Sequence, residues 1–83
     1  MNRKFDNDYF DYLNEQKTEA VVLVNRLSPV QAVLKSTVRS MTKGTRAYIA
    51  ARRSIRTNRQ ILRWANRAIR RYYLYCEKFK LFG

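Results

Sequence analysis

Apolar residues recur at heptad spacing through the second half of the chain, and this periodicity limits the fold more than any other feature of the sequence. Two heptad series run three residues apart. Their members are Tyr48, Ile55, Leu62, Ile69 and Cys76, and Ala51, Asn58, Ala65, Tyr72 and Phe79. Such spacing places both series on one side of an α-helix, as in a coiled coil. It predicts one amphipathic helix over residues 45–80, about 50 Å long. The alternative is a break at Thr57, where TNRQ has the residues of a capping box.

The first half of the chain predicts two shorter helices. The first is expected over residues 8–26, with an acidic N-cap near Asp8. The second is expected over residues 29–43, because in SPVQ Ser28 suits an N-cap, Pro29 the first helical position and Gln31 the end of a capping box. Gly44 would close this second helix. Its buried residues would be Val30, Val33, Leu34, Val38 and Met41.

The predicted fold class is therefore all-α, with three helices in an open bundle or helical hairpin. Residues 1–27 form an acidic and aromatic N-terminal helix, residues 28–83 form a basic helical region, and the 83 residues make one structural domain. The last segment, YYLYCEKFKLFG, has apolar side chains all round its helix, including Leu81 and Phe82. We expect the first helix to cover this end; an assembly contact is the alternative.

Charge is divided unevenly along the chain. Residues 1–19 have five acids and three bases, a net charge of −2, whereas residues 20–83 have fifteen bases and one acid, a net charge of +14. The total of +12 favours a polyanionic partner. The longest aliphatic run, Ala20–Val24, is too short to span a membrane, so no integral membrane association is expected. A basic amphipathic helix lying on a membrane surface is a weaker alternative.

Eight arginines fall on one side of the predicted third helix. At about 100° per residue, six of them occupy an arc of about 80° and two lie at its edge. We call this set the arginine ridge: Arg52, Arg56, Arg59, Arg63, Arg67 and Arg70, with Arg53 and Arg71 at the edge. A merely solvated face normally alternates acids with bases. This one has arginines beside arginines, which predicts an external anion.

The predicted function is non-enzymatic nucleic-acid binding through phosphate contacts of the arginine ridge. A structural role in a nucleoprotein assembly, ribosome-like or in viral or phage packaging, fits this charge. RNA is slightly favoured over DNA, because guanidinium groups bind phosphate in a fork and stack on bases. A helix–turn–helix over residues 31–53, with Gly44 in its turn, is a weaker DNA-binding alternative. The alternative function is a protein-interaction module, an inhibitor or adaptor that docks the ridge on an acidic protein.

Four acids of the first helix form a second charged stripe. This acidic stripe consists of Asp8, Asp11, Glu15 and Glu19. It is predicted to pair with arginines, within the chain or on a neighbouring copy, and the second case implies self-assembly. A metal site is a poor alternative, because the sequence has no histidine. No cofactor is expected.

Two single residues complete the prediction. Trp64 borders the ridge; packing in the core is its favoured role, and stacking on a base is the alternative. Cys76, the only cysteine, lies in a heptad series and is predicted to be a small buried apolar residue rather than a nucleophile. A lone cysteine and the lack of an apolar leader favour a reducing compartment, the cytoplasm or a nucleoprotein particle.

Overall fold

The chain folds into two long α-helices of equal length that form a hairpin. The computed structural model describes residues 4–81. Helix α1 spans Asn7–Arg39 and helix α2 spans Arg46–Lys78, each with 33 residues. No strand lies between residues 4 and 81. The all-α class and the hairpin are thus confirmed, while the predicted number of three helices is wrong.

The error lies at Pro29, which is inside α1 rather than at the start of a helix. Consequently Ser28 is not an N-cap, and the boundary predicted between residues 27 and 28 falls within a continuous helix. A proline in a helix interior costs about 3 kcal/mol. Its ring lies on the exposed side of α1, where the carbonyl of Asn25, left without its amide partner, can bond to water. The inward stripe continues in register across it, so packing on α2 outweighs this cost.

Side-chain caps define where both helices begin. The Asp6 carboxylate accepts a hydrogen bond from the Tyr9 amide at 3.1 Å, and the Thr45 hydroxyl accepts one from the Tyr48 amide at 3.2 Å. The acidic cap therefore lies two residues before the predicted one. Helix α1 ends at Arg39, and Gly44 lies in the loop with a φ of +88°, directly before the cap of α2. Gly44 thus turns the chain into α2 instead of closing the preceding helix.

Helix α2 matches its prediction closely. It begins at Arg46, ends at Lys78 and has no break at Thr57. Every member of the two heptad series is buried or half-buried, and Cys76 is only 1% exposed. The heptad spacing therefore identified the side of α2 that packs on α1.

The two helices meet through small side chains at the middle of the hairpin. Ala20 of α1 and Ala65 and Ala68 of α2 are buried together, and Leu23, Val24 and Ile69 pack around them. The alanines leave room for the helix backbones to approach, and the surrounding aliphatic residues supply apolar area. The predicted burial of Val30 and Val33 is wrong: Val33 is 65% exposed. The continuous α1 register turns both valines outward and leaves Leu34 and Val38 half-buried, and Met41 in the following loop is half-buried as well.

Contacts at both ends fix an antiparallel register. Near the loop, the Gln31 side-chain amide donates a hydrogen bond of 2.8 Å to the carbonyl of Ile55. At the open end, the Asp6 amide donates one of 3.0 Å to the Tyr75 hydroxyl. The hairpin is a rod with Cα extents of 57 × 21 × 19 Å. Helices in contact along their whole length do not have the steep crossing of a helix–turn–helix, so that alternative is wrong.

An aromatic cluster closes the open end. Ring centroids lie 4.8–5.8 Å apart for Phe5–Tyr75, Tyr9–Tyr75, Phe10–Tyr72 and Tyr75–Phe79. The start of the chain thus covers the end of α2, as expected. Leu81 remains exposed, and Phe82 lies outside the described residues.

Candidate nucleic-acid interface

The arginine ridge lies on the solvent side of α2. All eight of its members are exposed. The opposite side of the helix is the one that packs on α1, with Ile55, Ala65 and Cys76 buried. From Arg52 to Arg70 the ridge is about 27 Å long, with roughly one arginine for each turn of about 5.4 Å. The ridge therefore presents a band of exposed arginines along one side of α2.

No acid of the described residues neutralises these arginines. Between residues 4 and 81, no arginine or lysine nitrogen lies within 4.0 Å of a carboxylate. Helix α2 has nine arginines and one lysine against Glu77, a net charge of +9, whereas α1 has four bases and four acids, a net charge of zero. The charge of the protein is thus concentrated on one helix.

The acidic stripe lies on the other side of the rod. Its four members are exposed on α1, about 155° around that helix from the residues that pack on α2. The predicted pairing of the stripe with arginines of the same chain is therefore absent from the described part of the molecule. Screening over about 8–10 Å also weakens any attraction across a rod of this width. In addition, no cluster that could hold a metal ion occurs among residues 4–81.

Trp64 is on the surface and not in the core. It is 42% exposed, which contradicts the favoured prediction of core packing. The reason is rotational: at about 100° per residue, Trp64 lies on α2 between the buried Ala68 and Arg71 at the edge of the ridge, so its ring is at the margin of the helix–helix contact and stays partly exposed. An exposed indole beside guanidinium groups can stack on a planar ligand.

A pocket at the open end of the hairpin adjoins the ridge, and no sequence pattern predicted it. Its volume is about 530 Å³. It forms where residues 4–6 cross the end of α2. Its lining is basic and aromatic: Lys4, Asp6, Tyr9, Arg71, Leu74, Tyr75, Lys78 and Phe79. Since Arg71 belongs to both, the pocket and the arginine ridge form one continuous surface.

Few ionisable or reactive side chains lie in the interior beside the pocket, over the residues that the structure describes. Partial burial raises the pKa of the Tyr72 hydroxyl, and a hydrogen bond with Cys76 adds to the effect. The Lys17 ammonium group lies 4.6 Å from the centre of the Tyr72 ring. Cys76 is buried, as predicted for a small apolar residue.

Neither α1 nor α2 contains an apolar stretch long enough to cross a membrane, over the residues that the structure describes. A comparison with known proteins finds no matching family, no matching curated protein and no matching solved structure.

Proposed function

We propose that this protein is a non-enzymatic nucleic-acid-binding protein and that the arginine ridge contacts the phosphate backbone. One observation carries the proposal: eight exposed arginines share one side of α2, and none of them is paired with an acid of the described chain. A structural place in a nucleoprotein assembly fits a rod whose charge lies along its length.

The repulsion between neighbouring arginines of the ridge supports the proposal that an external anion binds there. Arg52, Arg56, Arg59, Arg63, Arg67 and Arg70 follow one another at steps of three or four residues. Like charges at this spacing destabilise a helix by about 0.2–0.5 kcal/mol per pair, or about 1–2.5 kcal/mol for the five pairs. Phosphates placed along the ridge would remove that repulsion and form charge-assisted hydrogen bonds.

The side chains of the ridge and Trp64 are suited to contacts with the phosphate backbone and with exposed bases. They are less suited to reading the edges of base pairs. Guanidinium groups bind phosphate in a fork. Trp64 supplies one exposed ring on which an unpaired base could stack. Exposed bases are commoner in RNA than in duplex DNA, so RNA is the favoured ligand.

The acidic stripe supports self-association on the nucleic acid. Asp11, Glu15 and Glu19 are exposed and have no cation within the described chain. We propose that they meet the arginines of a second copy, in a head-to-tail contact. Substituting all three with their amides should abolish self-association in sedimentation at physiological salt; an unchanged sedimentation profile would rule the contact out.

Nucleic-acid content at purification tests the main proposal. The protein is purified at low salt, and its absorbance ratio and mass are measured before and after nuclease. Co-purifying nucleic acid that is lost on substituting Arg56, Arg59, Arg63 and Arg70 with glutamine supports the ridge as the binding surface. A protein that is clean, insensitive to nuclease and unable to bind oligonucleotides at low salt would refute it, and the search would turn to an acidic protein partner.

A further inference from the structure

The pocket at the open end has the composition of a nucleotide site. Among the described residues that line it, Lys4, Arg71 and Lys78 are cationic and Asp6 is the single acid. The Asp6 carboxylate is already engaged, because it accepts the hydrogen bond of the Tyr9 amide at the start of α1. Three cations therefore face one carboxylate, and the pocket favours an anion.

Aromatic rings form the other wall of the same pocket. The Tyr9 and Tyr75 rings meet edge to face at 5.2 Å, and those of Tyr75 and Phe79 lie 4.8 Å apart. Tyr9 is 43% exposed, so part of its surface is open to a ligand. The rings also hold one another in place, and the Asp6 amide bonds to the Tyr75 hydroxyl at 3.0 Å. The aromatic wall is thus formed before any ligand arrives.

The volume and position of the pocket limit the range of ligands that it could bind. About 530 Å³ is within the range of small-molecule sites, about 300–1,000 Å³. Arg71 continues the arginine ridge into the pocket, and Trp64 lies two turns before it along α2. A strand that followed the ridge would reach the pocket at its end.

We propose that the pocket binds one nucleotide with an exposed base, which is the unpaired end of a nucleic-acid strand lying on the arginine ridge. The base stacks on the aromatic wall, and its phosphate lies among Lys4, Arg71 and Lys78. The inference rests on the proposed function and adds to it a preference for strand ends. A free mononucleotide has the same chemistry and is the other source of such a ligand.

Two RNA probes test the proposal on the full chain: a blunt duplex, and the same duplex with one unpaired 5′-phosphorylated adenosine. We expect the unpaired nucleotide to tighten binding by about 5-fold to 150-fold, as for stacking of one base. Tyr9→Ala should abolish this preference, as should Lys78→Gln. Both variants should bind the blunt duplex with little change.

Matched controls separate the pocket from its surroundings. Tyr73→Ala removes a ring of the same kind that is 49% exposed on α2 and does not line the pocket. Lys80→Gln removes the same charge two residues beyond Lys78. Both controls should keep the preference. Arg56→Gln with Arg59→Gln should weaken both probes equally, because these residues lie away from the pocket.

The outcomes distinguish the two levels of the proposal. Equal binding of the two probes, or a preference that survives both Tyr9→Ala and Lys78→Gln, would overturn the pocket and leave the ridge intact. Failure of both probes to bind would overturn the proposed function and the strand-end site with it. If adenosine 5′-monophosphate displaces the overhang probe from the pocket at equal concentration, whereas inorganic phosphate does not, the nucleotide chemistry holds and the ligand is a free nucleotide.

Discussion

The two helices of the hairpin have the same length and pack on each other, yet their outer sides differ. Helix α1 has a net charge of zero, with acids in its first half and exposed valines in its second. Helix α2 has a net charge of +9, and its outer side is occupied by the arginine ridge. Each helix needs only one stripe to form the hairpin. The outer sides are therefore free to differ, and the difference places the proposed nucleic-acid interface on α2.

The largest expected effect comes from removing three arginines of the ridge on α2, compared with removing three positive charges from α1. Replacing Arg56, Arg59 and Arg63 with glutamine should weaken RNA binding on the order of 1000-fold. Each lost contact costs about 1.5 kcal/mol of binding free energy, and about 1.4 kcal/mol corresponds to a tenfold change in affinity. The control replaces Arg26, Lys35 and Arg39 of α1 with glutamine. It removes the same three charges and should weaken binding far less. Fluorescence anisotropy measures both; equal losses would show that net charge matters and position does not.

Pro29→Ala tests why α1 remains one helix. It restores the amide that can bond to the carbonyl of Asn25, and it should stabilise the fold by up to about 3 kcal/mol. Urea unfolding followed by circular dichroism measures this gain. Ser28→Ala is the companion variant: it should change stability by less than about 0.5 kcal/mol, since Ser28 caps nothing. A loss near 1 kcal/mol would indicate a helix start at Ser28 instead.

Trp64→Ala tests whether the margin of the ridge stacks on bases. Single-stranded RNA should bind about 5-fold to 150-fold more weakly, because stacking contributes about 1–3 kcal/mol per base. Binding should also quench the fluorescence of the wild-type protein, in which Trp64 is the only tryptophan. Val33→Ala, at an exposed apolar position of α1, is the control and should leave the affinity unchanged. Quenching without any loss of affinity in the variant would contradict a stacking role.

Gln31→Met tests the polar contact between the helices and has the smallest expected effect. Gln31 donates to the Ile55 carbonyl, but its own side-chain oxygen is buried and has no hydrogen-bond partner among residues 4–81. Methionine loses the stabilising hydrogen bond but also removes the unfavourable burial of an unpaired oxygen. Because these two free-energy changes nearly offset each other, stability should change by less than about 1 kcal/mol in either direction. Thermal unfolding checks this; a loss of several kcal/mol would mean that the amide is essential to the register.

Periodicity predicted α2 from Thr45 onward, its buried residues and the outward direction of the ridge. The prediction failed at Pro29, where it followed a local capping pattern instead of the stripe that continues through Leu27, Gln31 and Leu34. A capping pattern indicates only where a helix could start. Packing on α2 keeps α1 continuous through Pro29. Gln31 shows the difference: its predicted role was a cap, and its observed role is a buried contact.

The candidate site was predictable only where it depends on one helix. The ridge follows from angles within α2, and so does its exposure. The exposure of Trp64 required knowing that no third helix covers that side. The end pocket depends on residues 4–6 crossing α2 more than sixty residues later, and no spacing within one segment contains that information.

The salt dependence of RNA binding tests the central claim most directly. Affinity is measured from low to physiological salt for the wild type and for the variant with Arg56, Arg59 and Arg63 replaced by glutamine. Six phosphate contacts predict a slope of log K against log salt near −5, and the variant should lose about half of it. A shallow slope that is the same in both proteins would contradict a phosphate-binding arginine ridge.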